Sequence, residues 1–209
     1  MKNYDRISQN RTLLIASTNP GKLREIQAIL PSGVPFQLAL PADLGIKLDV
    51  KETGSTYAEN AALKAVAYRQ ASGLVTLADD SGIEVDAPGG APGLYSARYA
   101  PIENATDADR RRHMLQNLRG IPRPWPARFH CTVAVAALDG QVYFADGQVE
   151  GEVISEERGE NGFGYDPIFY LAGYGKTMAE LPSDEKNRIS HRARAVQAAL
   201  PVLLKLFQP

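Results

Sequence analysis

Four short segments of this 209-residue chain hold residue types that could do chemistry together. The first is Ser17-Thr18-Asn19-Pro20-Gly21-Lys22. A helix start offers unpaired backbone N–H groups and the positive end of its dipole, and Lys22 adds a full charge, so this segment suits a phosphate. It equally suits an ordinary capped helix, and it is not a Walker A loop, because Gly21-Lys22 is followed by Leu23. The second segment is Asp79-Asp80-Ser81-Gly82, which follows the apolar run 74–78. Adjacent carboxylates after a strand are expensive to leave unpaired and suit a hard cation such as Mg²⁺, although Asp, Ser and Gly are also common turn formers. The third runs from Gly159 to Pro167, where Gly162 and Gly164 permit close backbone approach and Phe163 and Tyr165 offer ring faces to a planar ligand or to the core. The fourth is Lys186 with His191 and Arg192. In one unbroken helix Lys186 and His191 would point to different faces, so they converge only if the helix restarts, and Ser190 is a suitable N-cap for that restart. Basic residues in a first helical turn run against the dipole, which an anion or an electron-rich ring would explain.

The elements needed to position these segments follow from apolar spacing. Residues 12–16 read as a strand, followed by a tight loop and a helix with Asn19 as N-cap and Pro20 at its first position. A second helix is expected from Thr56, with Glu59 completing a capping box, to Ala71, and residues 74–78 form the next strand. The breakers between 86 and 101 mark a long shaped loop. Thr106 to Leu118 reads as a helix whose Arg110-Arg111-Arg112 run solvates an exposed face, and Pro122, Pro124 and Pro126 mark a hinge or linker. Phe129 to Leu138 and Gln141 to Ala145 should form a hairpin around a type I′ turn at Asp139-Gly140, with a further strand at 149–154. The last helix starts after Ser190 and is kinked by Pro201. This order predicts an α/β fold with a mixed sheet in two lobes and a cleft between them, preceded by a polar extension at 1–10.

Composition narrows the function classes. Lys and Arg total 23 against 24 Asp and Glu, a net charge of −1, so nothing draws the whole molecule to nucleic acid or an anionic membrane. The apolar runs are shorter than the ~20 residues of a membrane span, the first ten residues are unlike a signal-peptide core, and a cytoplasmic protein is expected. The single cysteine, Cys131, reads as a buried strand thiol. No Cys/His cluster has zinc spacing and no Gly-x-Ser-x-Gly elbow occurs.

Taken together and in order, these segments resemble the inosine triphosphate pyrophosphatase family. The resemblance spans Leu13 to about Leu200 and is carried by Ser17 to Lys22, Glu52-Thr53-Gly54 with Glu59-Asn60-Ala61, Ala78 to Gly82, Gly89 to Gly93 with Tyr95 to Tyr99, Gly162 to Phe169, and Lys186 to Arg192. It implies a two-lobed α/β fold with an elongated mixed sheet, Mg²⁺ dependence, a homodimer, and hydrolysis of the non-standard purine triphosphates ITP, dITP and XTP to monophosphate and pyrophosphate. By the same resemblance, Ser17, Thr18, Asn19, Pro20, Gly21 and Lys22 hold the triphosphate, Asp80 is proton acceptor and metal ligand, and Ser81 contacts the substrate. Phe163, Gly164, Tyr165, Asp166, Lys186, His191 and Arg192 form the nucleobase and sugar end. Family members often carry two acids before the Thr-Gly pair; here Lys51 precedes Glu52, leaving Glu52 as the second metal ligand. Two alternatives share the opening strand and loop: a pyrophosphatase of the septum-formation-inhibitor type, which the segments 163–166 and 190–192 disfavour, and a non-catalytic nucleotide-binding module, which the Asp79-Asp80 pair disfavours.

Overall fold

The computed structural model describes residues 11–87 and 89–208; the polar extension at 1–10 lies outside the described residues. Seven strands form one mixed sheet in the order β2-β1-β3-β4-β5-β6-β7. The strands are β1 (Thr12–Ile15), β2 (Gln37–Ala39), β3 (Val75–Val85), β4 (Trp125–Ala136), β5 (Val142–Val153), β6 (Phe169–Leu171) and β7 (Lys176–Thr177). The helices are α1 (Pro20–Ile29), α2 (Tyr57–Ser72), α3 (Asp107–Asn117), α4 (Ser183–Ile189) and α5 (His191–Leu206). β1 pairs parallel with both β2 and β3, Leu14 facing Ala39 on one side and Thr76 on the other, while β6 pairs antiparallel with β5 and β7. Parallel strands need crossovers, and α1 and α2 supply them. Among the described residues no helix is long and apolar enough to cross a membrane.

The chain divides into two compact units. The first comprises the chain through Asp80, Cys131–Gly147 and the residues from Arg192 onward. Strand alternation sorts its side chains onto two faces. Leu13, Ile15, Cys131, Val133 and Val135 pack with Ile26 of α1 and with Val196 and Leu203 of α5. On the other face Leu14, Ala78, Ala134 and Ala136 pack with Ala61, Ala65 and Tyr68 of α2. The alanines there let α2 lie close to the strands. Leu13, Leu14 and Ile15 are fully buried, worth about 2 kcal/mol each. The second unit comprises Ser81–His130 and Gln148–His191, around Ile83, Met114, Leu118, Phe129, Ile168, Phe169 and Met178.

Several sequence expectations hold locally. Asn19 caps α1 with Pro20 at its first position; Thr56 caps α2, which ends at Gly73 in the left-handed conformation. Thr106 and Asp109 form a reciprocal capping box on α3. Four details differ. The strand expected at 74–78 continues to Val85, so Asp79, Asp80 and Ser81 lie within a strand and not in a turn after it. The Asp139-Gly140 connection is not type I′: only Gly140 has a positive φ, and its N–H donates to the Ala137 carbonyl, giving a turn that ends in a left-handed glycine. The segment 149–154 is the end of one long β5. The proline cluster is not a linker between units, because α3 and the first half of β4 share one core, anchored by Trp125, whose Nε1 donates to the Ile121 carbonyl at 3.0 Å.

Candidate active site

In the first unit, β3 delivers Asp79 and Asp80 to opposite faces of the sheet, as period-two alternation requires. Asp79 is 2% exposed, and its Oδ2 lies 3.0 Å from Lys22 Nζ and 3.2 Å from both Nε and Nη2 of Arg192. Burial works against its charge, but Lys22 and then Arg192 overcome it and hold the carboxyl well below the usual range. Its other oxygen, Oδ1, is buried with no hydrogen-bond partner. Asp80 is in a different situation. Its Oδ2 accepts a hydrogen bond from Asn60 Nδ2 at 3.2 Å and its Oδ1 lies 3.5 Å from Lys64 Nζ. Here burial wins over the nearby lysines and raises the carboxyl.

Lys64 brings a third carboxylate to this point. Its Nζ is 2.6 Å from Glu52 Oε1 as well as 3.5 Å from Asp80, so one ammonium sits where two carboxylates converge. Burial opposes the Lys64 charge, but Asp80, Asp79 and Glu52 together raise its pKa. The Glu52-Thr53-Gly54 stretch is fixed to α2 through Gly54, whose N–H donates to Asn60 Oδ1 at 2.8 Å. A Cβ at Gly54 would stand 2.6 Å from Glu59 Cβ, so only glycine allows this approach. Asn60 thus joins Gly54 to Asp80 through the two ends of one amide.

The Ser17–Lys22 loop is closed on itself at the backbone. Asn19 Oδ1 accepts the N–H groups of Gly21 and Lys22, Ser17 Oγ accepts that of Asn19, and the Leu23 N–H donates to the Asn19 carbonyl. The polar groups it presents are therefore the Ser17 and Thr18 hydroxyls and the Lys22 ammonium more than the first-turn amides. Fit to a divalent cation can be tested on these residues. The donors are hard carboxylate oxygens, and a cation, the Lys64 ammonium, already neutralises Glu52 and Asp80 together. Among the described residues no three acidic, His or Cys side chains form a metal cage, as is usual for Mg²⁺, which takes one or two carboxylates and completes its shell with phosphates and water.

The second unit carries a separate constellation. Lys186 Nζ and Asp166 Oδ2 are 2.6 Å apart, and each side chain is 4% exposed. Asp166 also accepts the Phe163 N–H at 2.8 Å, and Lys186 Nζ lies 4.9 Å from the centre of the Phe163 ring. Gly162 is obligatory there: its φ is +77°, and a Cβ would fall 2.1 Å from Asp166 Oδ2. Tyr165 is buried, its hydroxyl donates to the Ser96 carbonyl at 2.9 Å, and burial raises its pKa strongly. The helix does break at Ser190, which ends α4 in an extended conformation, so that α5 begins at His191. His191 stacks on Phe129 with centroids 4.7 Å apart.

The residues singled out in sequence therefore fall into two groups. Ser17 to Lys22, Glu52, Asp80 and Arg192 belong to the first unit; Ser81, Phe163 to Asp166, Lys186 and His191 belong to the second. Arg192, which the resemblance assigns to the nucleobase end, has its guanidinium on Asp79 and on Glu25. Sequence reasoning missed Lys64, although Asn60 and Lys64 are one helical turn apart beside the buried Ala61 and Ala65, a spacing that puts both on the core edge of α2. It also misread the arginine run. Only Arg112 is well exposed; Arg110 bonds the carbonyls of Ala97 and Ala105, and Arg111 bonds that of Gly164.

A family model described as the Ham1 family matches residues 13–202. The dITP/XTP pyrophosphatase of Listeria monocytogenes serotype 4b (strain F2365) is 46% identical over 186 residues, covering 88% of this chain and 91% of that protein. The dITP/XTP pyrophosphatase of Bacillus subtilis (strain 168) is 46% identical over 186 residues, 88% and 92% of the two chains. The solved structure of a HAM1 protein from Coxiella burnetii superposes with a TM-score of 0.84 at 40% identity, covering 93% of this chain and 99% of that one. With a family model covering most of its length and relatives this similar nearly end to end, the chain belongs to the Ham1 family.

Proposed function

We propose that this protein hydrolyses non-standard purine nucleoside triphosphates, ITP, dITP and XTP, to the monophosphate and pyrophosphate. The observation that carries the reading is the cluster in which Asp80, Glu52 and Lys64 converge beside Asp79 and Lys22. The relatives named dITP/XTP pyrophosphatase support the substrate class.

In this reading Glu52 and Asp80 hold Mg²⁺, which when bound neutralises phosphate charge. Asp80 orients the attacking water and accepts its proton. Asp79 keeps its charge and has a different task, fixing Lys22 and Arg192. Lys22, with the Ser17 and Thr18 hydroxyls, binds phosphate oxygens. Lys64 holds the two carboxylates at one point when no divalent ion competes for them. Phe163 offers a ring face, and the Lys186–Asp166 pair offers a donor beside an acceptor. A 6-oxo purine presents an acceptor and a ring N–H on one edge, whereas adenine reverses that order, which gives discrimination against adenine a hydrogen-bonding basis; guanine shares that edge and is rejected through its 2-amino group. A cytoplasmic homodimer belongs to the same reading.

Product analysis tests it. Wild-type protein with Mg²⁺ should release pyrophosphate and monophosphate in equal amounts from dITP and XTP, and far less from dATP and dGTP; release of orthophosphate, or equal rates on all four, would refute the assignment.

A further inference from the structure

The backbone of one residue of the proposed base-reading loop is gripped from outside the loop, on both flanking peptide groups. The Gly164 N–H donates to Asp107 Oδ2 at 2.8 Å, and the Gly164 carbonyl accepts from Arg111 Nη1 at 2.8 Å. Asp107 and Arg111 lie at i and i+4 on α3, so they project to the same side and take both polar groups of a single residue. Arg111 is itself steadied by Glu157, which accepts from Nη2 at 2.8 Å, and its side chain is only 12% exposed. On either side of Gly164 the loop is tied elsewhere, the Phe163 N–H to Asp166 and the Tyr165 hydroxyl to the Ser96 carbonyl. The segment Gly162–Tyr165 lies outside every strand and has two glycines, so it has neither a ladder nor side-chain bulk to fix Gly164. Side-chain hydrogen bonds from α3 supply that restraint.

We infer that Asp107 and Arg111 are positioning residues for purine recognition: they hold the Gly164 backbone on both sides so that Phe163 and the Asp166–Lys186 pair are ready for the base before it arrives. The inference rests on the function proposed above. Ordering a loop in advance removes an entropic cost from binding and does nothing for the phosphate chemistry. The clamp therefore acts on affinity for ligands that contain a base and not on affinity for pyrophosphate.

Steady-state kinetics with dITP, together with inhibition by inosine monophosphate and by pyrophosphate, test this on the full-length protein. Arg111→Ala and Asp107→Ala should each raise KM for dITP about tenfold with kcat within about twofold, the size expected for losing one charge-assisted hydrogen bond. Inhibition by inosine monophosphate should weaken by the same factor, and inhibition by pyrophosphate should not change. Asp107→Asn, which keeps an acceptor for the Gly164 N–H, should restore near-normal KM, and Glu157→Gln should stay within about twofold of wild type. Unchanged KM in both alanine variants would overturn the clamp, as would equal weakening by both inhibitors, which marks general disruption. If an alanine variant does not fold, Arg111→Met, which keeps the stem but has no donor, and Asp107→Asn decide the matter: a dITP KM tenfold above wild type in Asp107→Asn, or no change at all in Arg111→Met, contradicts the clamp. Failure of the wild-type protein to release pyrophosphate from dITP would overturn the functional reading itself, and this control is read before any variant.

Discussion

The two units use buried charge in opposite ways. In the first, Asp79, Asp80, Glu52 and Glu25 meet Lys22, Lys64 and Arg192, and the burden is uneven: Asp79 is driven below the carboxylate range by its cations while burial raises its neighbour Asp80 from the ordinary value. In the second, Lys186 meets Asp166, both buried, beside the Phe163 ring. A crowded, asymmetric cluster suits phosphate, metal and proton transfer. A balanced pair suits a neutral planar group that must be read by the direction of its hydrogen bonds. Adjacent aspartates with divergent environments let one strand supply a permanent anion and, in the function proposed above, a base.

The sharpest way to break this contrast is Asp80→Asn. Pyrophosphate release should fall about 10³-fold, the contribution of a positioned general base, while the melting temperature at pH 7 holds or rises because a penalised charge has been removed. Next is Asp166→Ala, which takes from the buried Lys186 ammonium its carboxylate at 2.6 Å. Urea unfolding should show a loss of about 3 kcal/mol, as for other broken buried pairs, and the preference for dITP over dATP should collapse. Smaller is Glu52→Gln: the Mg²⁺ concentration for half-maximal rate should rise about tenfold, with the rate at saturation largely recovered. If Mg²⁺ dependence were unmoved, Glu52 would not be a ligand.

The smallest effect lies away from both clusters and calibrates the electrostatics. Asp109 accepts from the Thr106 hydroxyl and N–H, which lower its carboxyl from 3.8 to about 2. A depressed folded-state value stabilises above the unfolded value and is lost as pH falls through the folded one. The melting-temperature gap between wild type and Asp109→Ala should thus be full above about pH 4 and shrink towards pH 2. A gap independent of pH would show that the cap acts without its charge.

Local signals were well expressed in the sequence. Asn19-Pro20, Thr56, Gly73 and Ser190 mark helix ends through capping and backbone preferences that need no tertiary context, and all four stand at helix ends where expected. The chain's membership in a pyrophosphatase-like family was also legible, because ordered motifs accumulate specificity that no single loop has. What escaped were features decided by packing. Asp79 to Ser81 look like turn formers, yet they continue a strand, since Lys22, Arg192, Lys64 and Asn60 satisfy the acids inside the fold. Arg110 and Arg111 look like a solvated run because their acceptors, the carbonyls of Ala97, Ala105 and Gly164, have no sequence signature at all. Arg192 likewise revealed its charge but not its partners, Asp79 and Glu25.

If the cluster does the chemistry and the loop reads the base, one kinetic matrix separates them: kcat/KM for dITP, XTP, dATP and dGTP measured with wild type, Asp80→Asn and Asp166→Ala at saturating Mg²⁺. Asp80→Asn should depress all four substrates by a common factor and leave their ranking intact, whereas Asp166→Ala should flatten the ranking. A change of ranking in Asp80→Asn, or a preserved one in Asp166→Ala, would contradict the account.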